Sequence, residues 1–70
     1  MTATAVDLKL HDSITLAVEK DGFAAGTRGV IVDAYPESDA YTVELVDDDG
    51  ETLDLLNVLS REVQLRARVN

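Results

Sequence analysis

The chain has no cysteine and no tryptophan, and it carries one proline and one histidine in 70 residues. Without thiols it forms no disulfide and holds no cysteine-based zinc or redox centre. The same absence fits a reducing compartment. A single histidine, His11, is too little for a zinc site or a His-dependent relay, both of which need several converging groups. Aromatic rings are scarce, with only Phe23, Tyr35 and Tyr41, which is a poor supply for stacking nucleic-acid bases. No apolar run approaches the ~20 residues that cross a bilayer. The opening stretch, Met1 to Asp7, lacks the basic start and apolar core of a secretory signal. These absences predict a cytoplasmic protein without a membrane partner. Basic residues are also in short supply: 6 Lys and Arg stand against 14 Asp and Glu, for a net charge of −8. Phosphate backbones seek basic faces, so nucleic acid is an unfavoured partner. The acidity serves solubility, or it forms a face for a basic protein.

What is present is alternation. Seventy residues make one small domain, which buries only about 60% of its unfolded surface. Residues 1–6 have little to bury and read as a flexible arm ahead of a single domain over 7–70. Leu8, Leu10, Ile14, Leu16 and Val18 recur at period two and predict a first strand, with Asp12 beside His11 capping a local turn. Residues 19–28 form a loop with room for a short helix at Phe23-Ala24-Ala25, which Gly22 and Gly26 keep from growing. Gly29 to Tyr35 is the second strand, Pro36 to Asp39 a turn, and Ala40 to Val46 the third strand, with Tyr41, Val43 and Leu45 on one face. Asp49-Gly50 predicts a type I′ hairpin turn. The fourth strand runs from Glu51 to about Leu56, with Leu53 and Leu55 expected in the core. Residues 57–62 form a turn containing a short 3-10 element, which Asn57 or Ser60 is placed to cap. Val63, Leu65, Ala67 and Val69 then alternate with Gln64, Arg66 and Arg68 in a final strand. Five short strands with closely spaced turns predict an all-β, antiparallel domain, with a 3-10 turn before the last strand.

Motifs for chemistry are missing. An EF-hand with Gly50 at its sixth position would have Leu45 at the first and Leu56 at the twelfth, where carboxylates are required. Ser13, Ser38 and Ser60 lack a nucleophile elbow. The Gly26-to-Gly29 turn lacks the Gly-Lys-Ser/Thr ending of a phosphate loop and leads into a strand. The sequence therefore points to no enzyme, no cofactor and no metal. His11 reads as a surface or turn residue. Arg66 and Arg68 share a face and read as ion-pair partners of acids on an adjacent strand. The candidate partner-binding residues are Glu44, on the polar face of the third strand, and Asp47, Asp48, Asp49 and Glu51 at the hairpin tip. A type I′ turn explains only Asp49-Gly50, so the surrounding acids point to long-range steering of a basic protein.

The stretch from Leu10 to Arg66 resembles a bacterial family of small domains of unknown function with an SH3-like, KOW-like barrel. The resemblance rests on Leu10-His11-Asp12, Gly26-Thr27-Arg28-Gly29-Val30-Ile31-Val32 and Ala34-Tyr35-Pro36. It rests also on Ala40-Tyr41-Thr42-Val43-Glu44-Leu45 and Asp49-Gly50-Glu51-Thr52. Leu45 departs from the family's usual phenylalanine. The resemblance implies a five-stranded antiparallel SH3-like barrel, similar to the β subunit of nitrile hydratase and to KOW domains of ribosomal and transcription proteins. It supplies no active site. Members of the family resemble single-domain proteins, some encoded beside toxin-like proteins, which implies an antitoxin or immunity role. The alternatives from other classes are a KOW-type nucleic-acid or ribosome-associated factor and an accessory domain of a metalloenzyme assembly. Exposed strand edges further predict a homodimer.

Overall fold

In the computed structural model, which describes residues 8–68, alternation and turn chemistry produce five strands: β1 (Ser13–Leu16), β2 (Arg28–Tyr35), β3 (Ala40–Val46), β4 (Thr52–Leu59) and β5 (Val63–Ala67). Two single 3-10 turns, η1 (Pro36–Ser38) and η2 (Ser60–Glu62), join β2 to β3 and β4 to β5. All pairings are antiparallel, and the strands form one sheet in the order β4-β3-β2-β1-β5. The domain is all-β as expected, with a 3-10 turn before the last strand. The expected arm over residues 1–6 and the alternating position Val69 lie outside the described residues.

The sheet cannot be flat. β4 and β5 sit at its two edges, so a flat sheet would hold them four strand spacings apart, roughly 19 Å. Yet only η2 separates Leu59 from Val63, a reach of at most about 14 Å. The sheet therefore curls, and its inner face closes on a core of Leu8, Ile14, Leu16, Ile31, Val43, Leu45, Leu56, Val58 and Val63. Phe23, Tyr41 and Leu65 pack against it from the margins. Each fully buried aliphatic chain contributes roughly 1.5–3 kcal/mol.

Turns at either end hold the curl in place. Asp12 is buried, and its Oδ2 accepts the Lys9 N–H at 2.9 Å while its own N–H donates to the Lys9 carbonyl at 3.1 Å. It therefore caps a local turn, as the sequence suggests. His11 stands in that turn with φ of 73°, and its N–H donates to the Ile31 carbonyl at 2.7 Å. At the other end, Asp39 closes η1 in the left-handed region. Its carbonyl and carboxylate both accept from Ser60, at the start of η2.

Several sequence expectations require correction. β1 is only four residues long, because the left-handed turn at His11 ends the alternation. Leu10 and Val18 are exposed, so the period-two count overran the strand at both ends. No helix forms at Phe23-Ala24-Ala25. Instead Lys20 and Phe23 exchange two backbone hydrogen bonds across Asp21-Gly22, whose φ values are 53° and 88°. That is the geometry of a type I′ hairpin turn. Of the two glycines flanking Thr27-Arg28, only Gly26 has positive φ. Gly29 is ordinary strand backbone, and the close approach of β3 excludes a side chain there. β4 extends through Leu59, so Asn57 is a strand residue and caps nothing, and Ser60 turns its hydroxyl to Asp39 instead. The cap of η2 comes from its other end, where Glu62 Oε1 accepts the Leu59 N–H at 2.8 Å.

The largest correction concerns the leucines of β4. Leu53 and Leu55 face solvent, while Leu56 and Val58 enter the core. Leu45 pairs with Asp54 and Val46 with Thr52, which leaves Leu53 as an extra residue in a β-bulge. A bulge shifts the alternation by one and exchanges the two faces of the strand.

Candidate functional site

The β3–β4 hairpin carries most of the acids singled out from the sequence. Its turn is not type I′, because Asp49 does not have positive φ. The Gly50 N–H donates to the Asp47 carbonyl, and the Asp47 N–H donates to the Glu51 carbonyl. Gly50 has φ of 84°. This is a three-residue loop, a type I turn followed by a left-handed glycine that makes a bulge. Asp47 builds it: one carboxylate oxygen accepts the backbone N–H groups of Asp49 and Glu51, both at 2.9 Å. Turn chemistry thus explains Asp47, contrary to the sequence expectation. Asp48 reaches back to Arg28 at 3.1 Å as an exposed pair, which contributes little to stability. Asp49 and Glu51 are exposed at the tip.

Glu44 lies on the outer face of the sheet, where its carboxylate accepts the Thr52 hydroxyl of the neighbouring strand. Register places Val30, Glu44 and Leu55 in one row across β2, β3 and β4, and Asp33, Thr42 and Asn57 in another. Hydrogen bonds bind the second row. The Thr42 hydroxyl donates to Asn57 Oδ1 at 2.7 Å and lies 3.0 Å from the Tyr35 hydroxyl, which is 3.3 Å from Asp33 Oδ2. Around these polar groups large side chains stay open to solvent: Leu55 is 58% exposed, Tyr35 42% and Val32 40%, while Leu53, 46% exposed, sits in the bulge of the edge strand β4. Val32 is exposed because a second irregularity, between Ile31 and Asp33, leaves it unpaired.

The sequence-predicted site is therefore divided. Asp47, Asp48, Asp49 and Glu51 crowd the turn of the hairpin, while Glu44 lies further along β3, on the outer face of the same strand pair. The exposed leucines and the Tyr35–Thr42–Asn57 chain were missed. A signal for the former exists in Leu53-Asp54-Leu55-Leu56-Asn57-Val58-Leu59, which has apolar residues at both parities, so one set must face solvent. On the opposite edge, Arg68 lies 3.9 Å from Asp12, an ion pair with the residue before β1. Arg66 instead borders a shallow cleft with Arg28 and Asp48.

Among the described residues, Glu62 has the one marked electrostatic perturbation. The Leu59 N–H and then the Lys20 ammonium, at 3.0 Å, hold its carboxyl below the ordinary carboxylate range. Among the described residues, no group of three or more His, Cys, Asp or Glu is placed to hold a metal ion. Among them too, no helix is long and apolar enough to cross a membrane.

No curated protein and no solved structure matches the chain. One family description does, over residues 10–65, which take in β1 to β4, both 3-10 turns and the first three residues of β5. The chain belongs to the family described as Domain of unknown function (DUF4926).

Proposed function

We propose that this domain is a non-catalytic binding module for a basic protein, and that its binding surface is the outer face of β2, β3 and β4. The observation that carries the reading is apolar surface exposed on that face, at Val32 and Leu55, among the carboxylates of Asp33 and Glu44 that the strand register places with them. Exposed apolar surface rimmed by polar groups is the usual mark of a protein interface. The carboxylates and the net charge of −8 select a basic partner and steer its approach. Neutralisation of a toxin-like basic protein, as an antitoxin or immunity protein of bacterial type, is the concrete form of this reading. The curl of the sheet supports an SH3-like label for the fold, and the cytoplasm is the matching compartment.

The test is recovery of partners from native lysate with and without nuclease, followed by binding kinetics on the partner found. The expected result is a basic protein whose recovery ignores nuclease and whose association slows with salt. Leu55→Lys should weaken its binding by tenfold or more. Recovery that nuclease abolishes would favour a nucleic-acid factor instead, and a large enzyme subunit would favour an accessory domain.

A further inference from the structure

Where β2 runs into η1, an open groove of about 580 Å³ lies between Tyr35, Pro36, Glu37, Ala34, Ala40 and Asn57. Its surroundings are chemically one-sided. The single charged residue lining it is Glu37, and the residues flanking η1 and Tyr35 in space, Asp39 and Asp33, are also acidic. Among the described residues, no lysine or arginine lines it.

Its polar groups are fixed in orientation. Thr42 has one hydroxyl hydrogen, and it is donated to Asn57 Oδ1. Thr42 can accept in turn from the Tyr35 hydroxyl at 3.0 Å, whose one hydrogen also has Asp33 Oδ2 as an acceptor at 3.3 Å. A chain of hydrogen-bond contacts thus links Asp33, Tyr35, Thr42 and the Asn57 side-chain carbonyl. It anchors the phenol ring by its tip while 42% of the residue stays open to solvent. With its carbonyl engaged, Asn57 offers its amide hydrogens to an occupant. The groove thus presents an aromatic face, a carboxylate, an amide donor and an apolar floor of Ala34, Pro36 and Ala40.

We propose that this groove receives an arginine side chain, with its flanking backbone, from an extended segment of the basic partner. The assignment rests on the protein-binding reading above and gives that partner a second, specific point of contact. A planar guanidinium stacks on an aromatic ring and pairs with a carboxylate at the same time. Its methylene stem lies on apolar surface. The Asn57 amide then donates to a peptide carbonyl beside the arginine. An anionic ligand meets like charge at Glu37, and a neutral one gains nothing from that carboxylate.

The experiment is an amide-resolved NMR titration of the whole chain with acetyl-Gly-Arg-Gly-Arg-Gly-amide and its citrulline counterpart, which keeps the shape and removes the charge. Saturable shifts are expected at residues 34–40 and at the Asn57 side-chain amide, with citrulline binding at least tenfold weaker. Glu37→Gln and Tyr35→Leu should each weaken binding fivefold or more. The spectrum itself reports whether each variant folds, and Glu37, exposed on η1, suffices if Tyr35→Leu does not. Equal binding of citrulline, or undiminished binding by Glu37→Gln, overturns the assignment. Shifts confined to Glu44, Leu55 and the hairpin overturn the groove while leaving the basic-partner reading intact. No saturable shift anywhere counts against both.

Discussion

A methyl group at position 29 would sit 2.9 Å from the Glu44 carbonyl oxygen and 3.1 Å from Leu45 Cδ2. The leucine tip can rotate away, but the carbonyl belongs to a paired strand and cannot move without disturbing the sheet. Gly29→Ala should therefore cost about 1–3 kcal/mol, as overpacking does. In a chain of this size each 1 kcal/mol lowers Tm by roughly 4–8 °C. A thermal melt matching the parent would show that β3 gives way. Local spacing does not show this constraint, because it comes from a strand distant in sequence. Asp47 offers a similar contrast. Its side chain acts through an oxygen acceptor and not through charge, so Asp47→Asn should melt within about 0.5 kcal/mol of the parent, and Asp47→Ala should lose about 1 kcal/mol. Equal losses for both would mean that the carboxylate charge holds the loop. The steering role proposed for the hairpin then falls to Asp48, Asp49 and Glu51.

Among the elements, β3 was legible to the residue, because Ala40 to Val46 alternates cleanly between two turn signals. β2 differed only by Arg28 at its start. β4 was not legible, because its apolar residues satisfy either parity and a bulge at Leu53 makes the choice. Bulges depend on how two strands meet, which local composition does not record. The outer face inherits this difficulty, since Leu55, its most exposed apolar residue, is one that alternation assigned to the core. η2 shows an element whose stability depends on pH. Glu62 is held below its ordinary pKa by the Leu59 N–H first and by Lys20 second. A carboxylate with a depressed folded pKa contributes stability that is complete above its unfolded value. That contribution is lost as pH falls through the folded one. Glu62→Gln should accordingly lower Tm at neutral pH, and the gap from the parent should close in the acid range below the ordinary carboxylate pKa. A gap that stays constant with pH would assign the effect to packing.

For the whole molecule, the two free edges, β4 and β5, give the expected homodimer two places to form. Two copies that each carry −8 repel one another, so an edge-paired dimer should strengthen with salt, opposite to the binding of a basic partner. Sedimentation at tens of micromolar, near the range of weak affinities, should show this trend, and monomer at every salt concentration would remove the dimer. The strand order also has a consequence in time. β2, β3 and β4 are joined by short turns and can pair as soon as each hairpin closes. β5 pairs only with β1, at the far end of the sequence, and must wait for a long loop to close. The contacts of β5 should then be absent from the folding transition state, while those of β3 are already present. Val63→Ala should speed unfolding and leave the folding rate nearly unchanged, whereas Val43→Ala should slow folding itself. Stopped-flow rates for the two variants decide the order, and a folding rate slowed equally by both would mean that the sheet closes before its middle has formed.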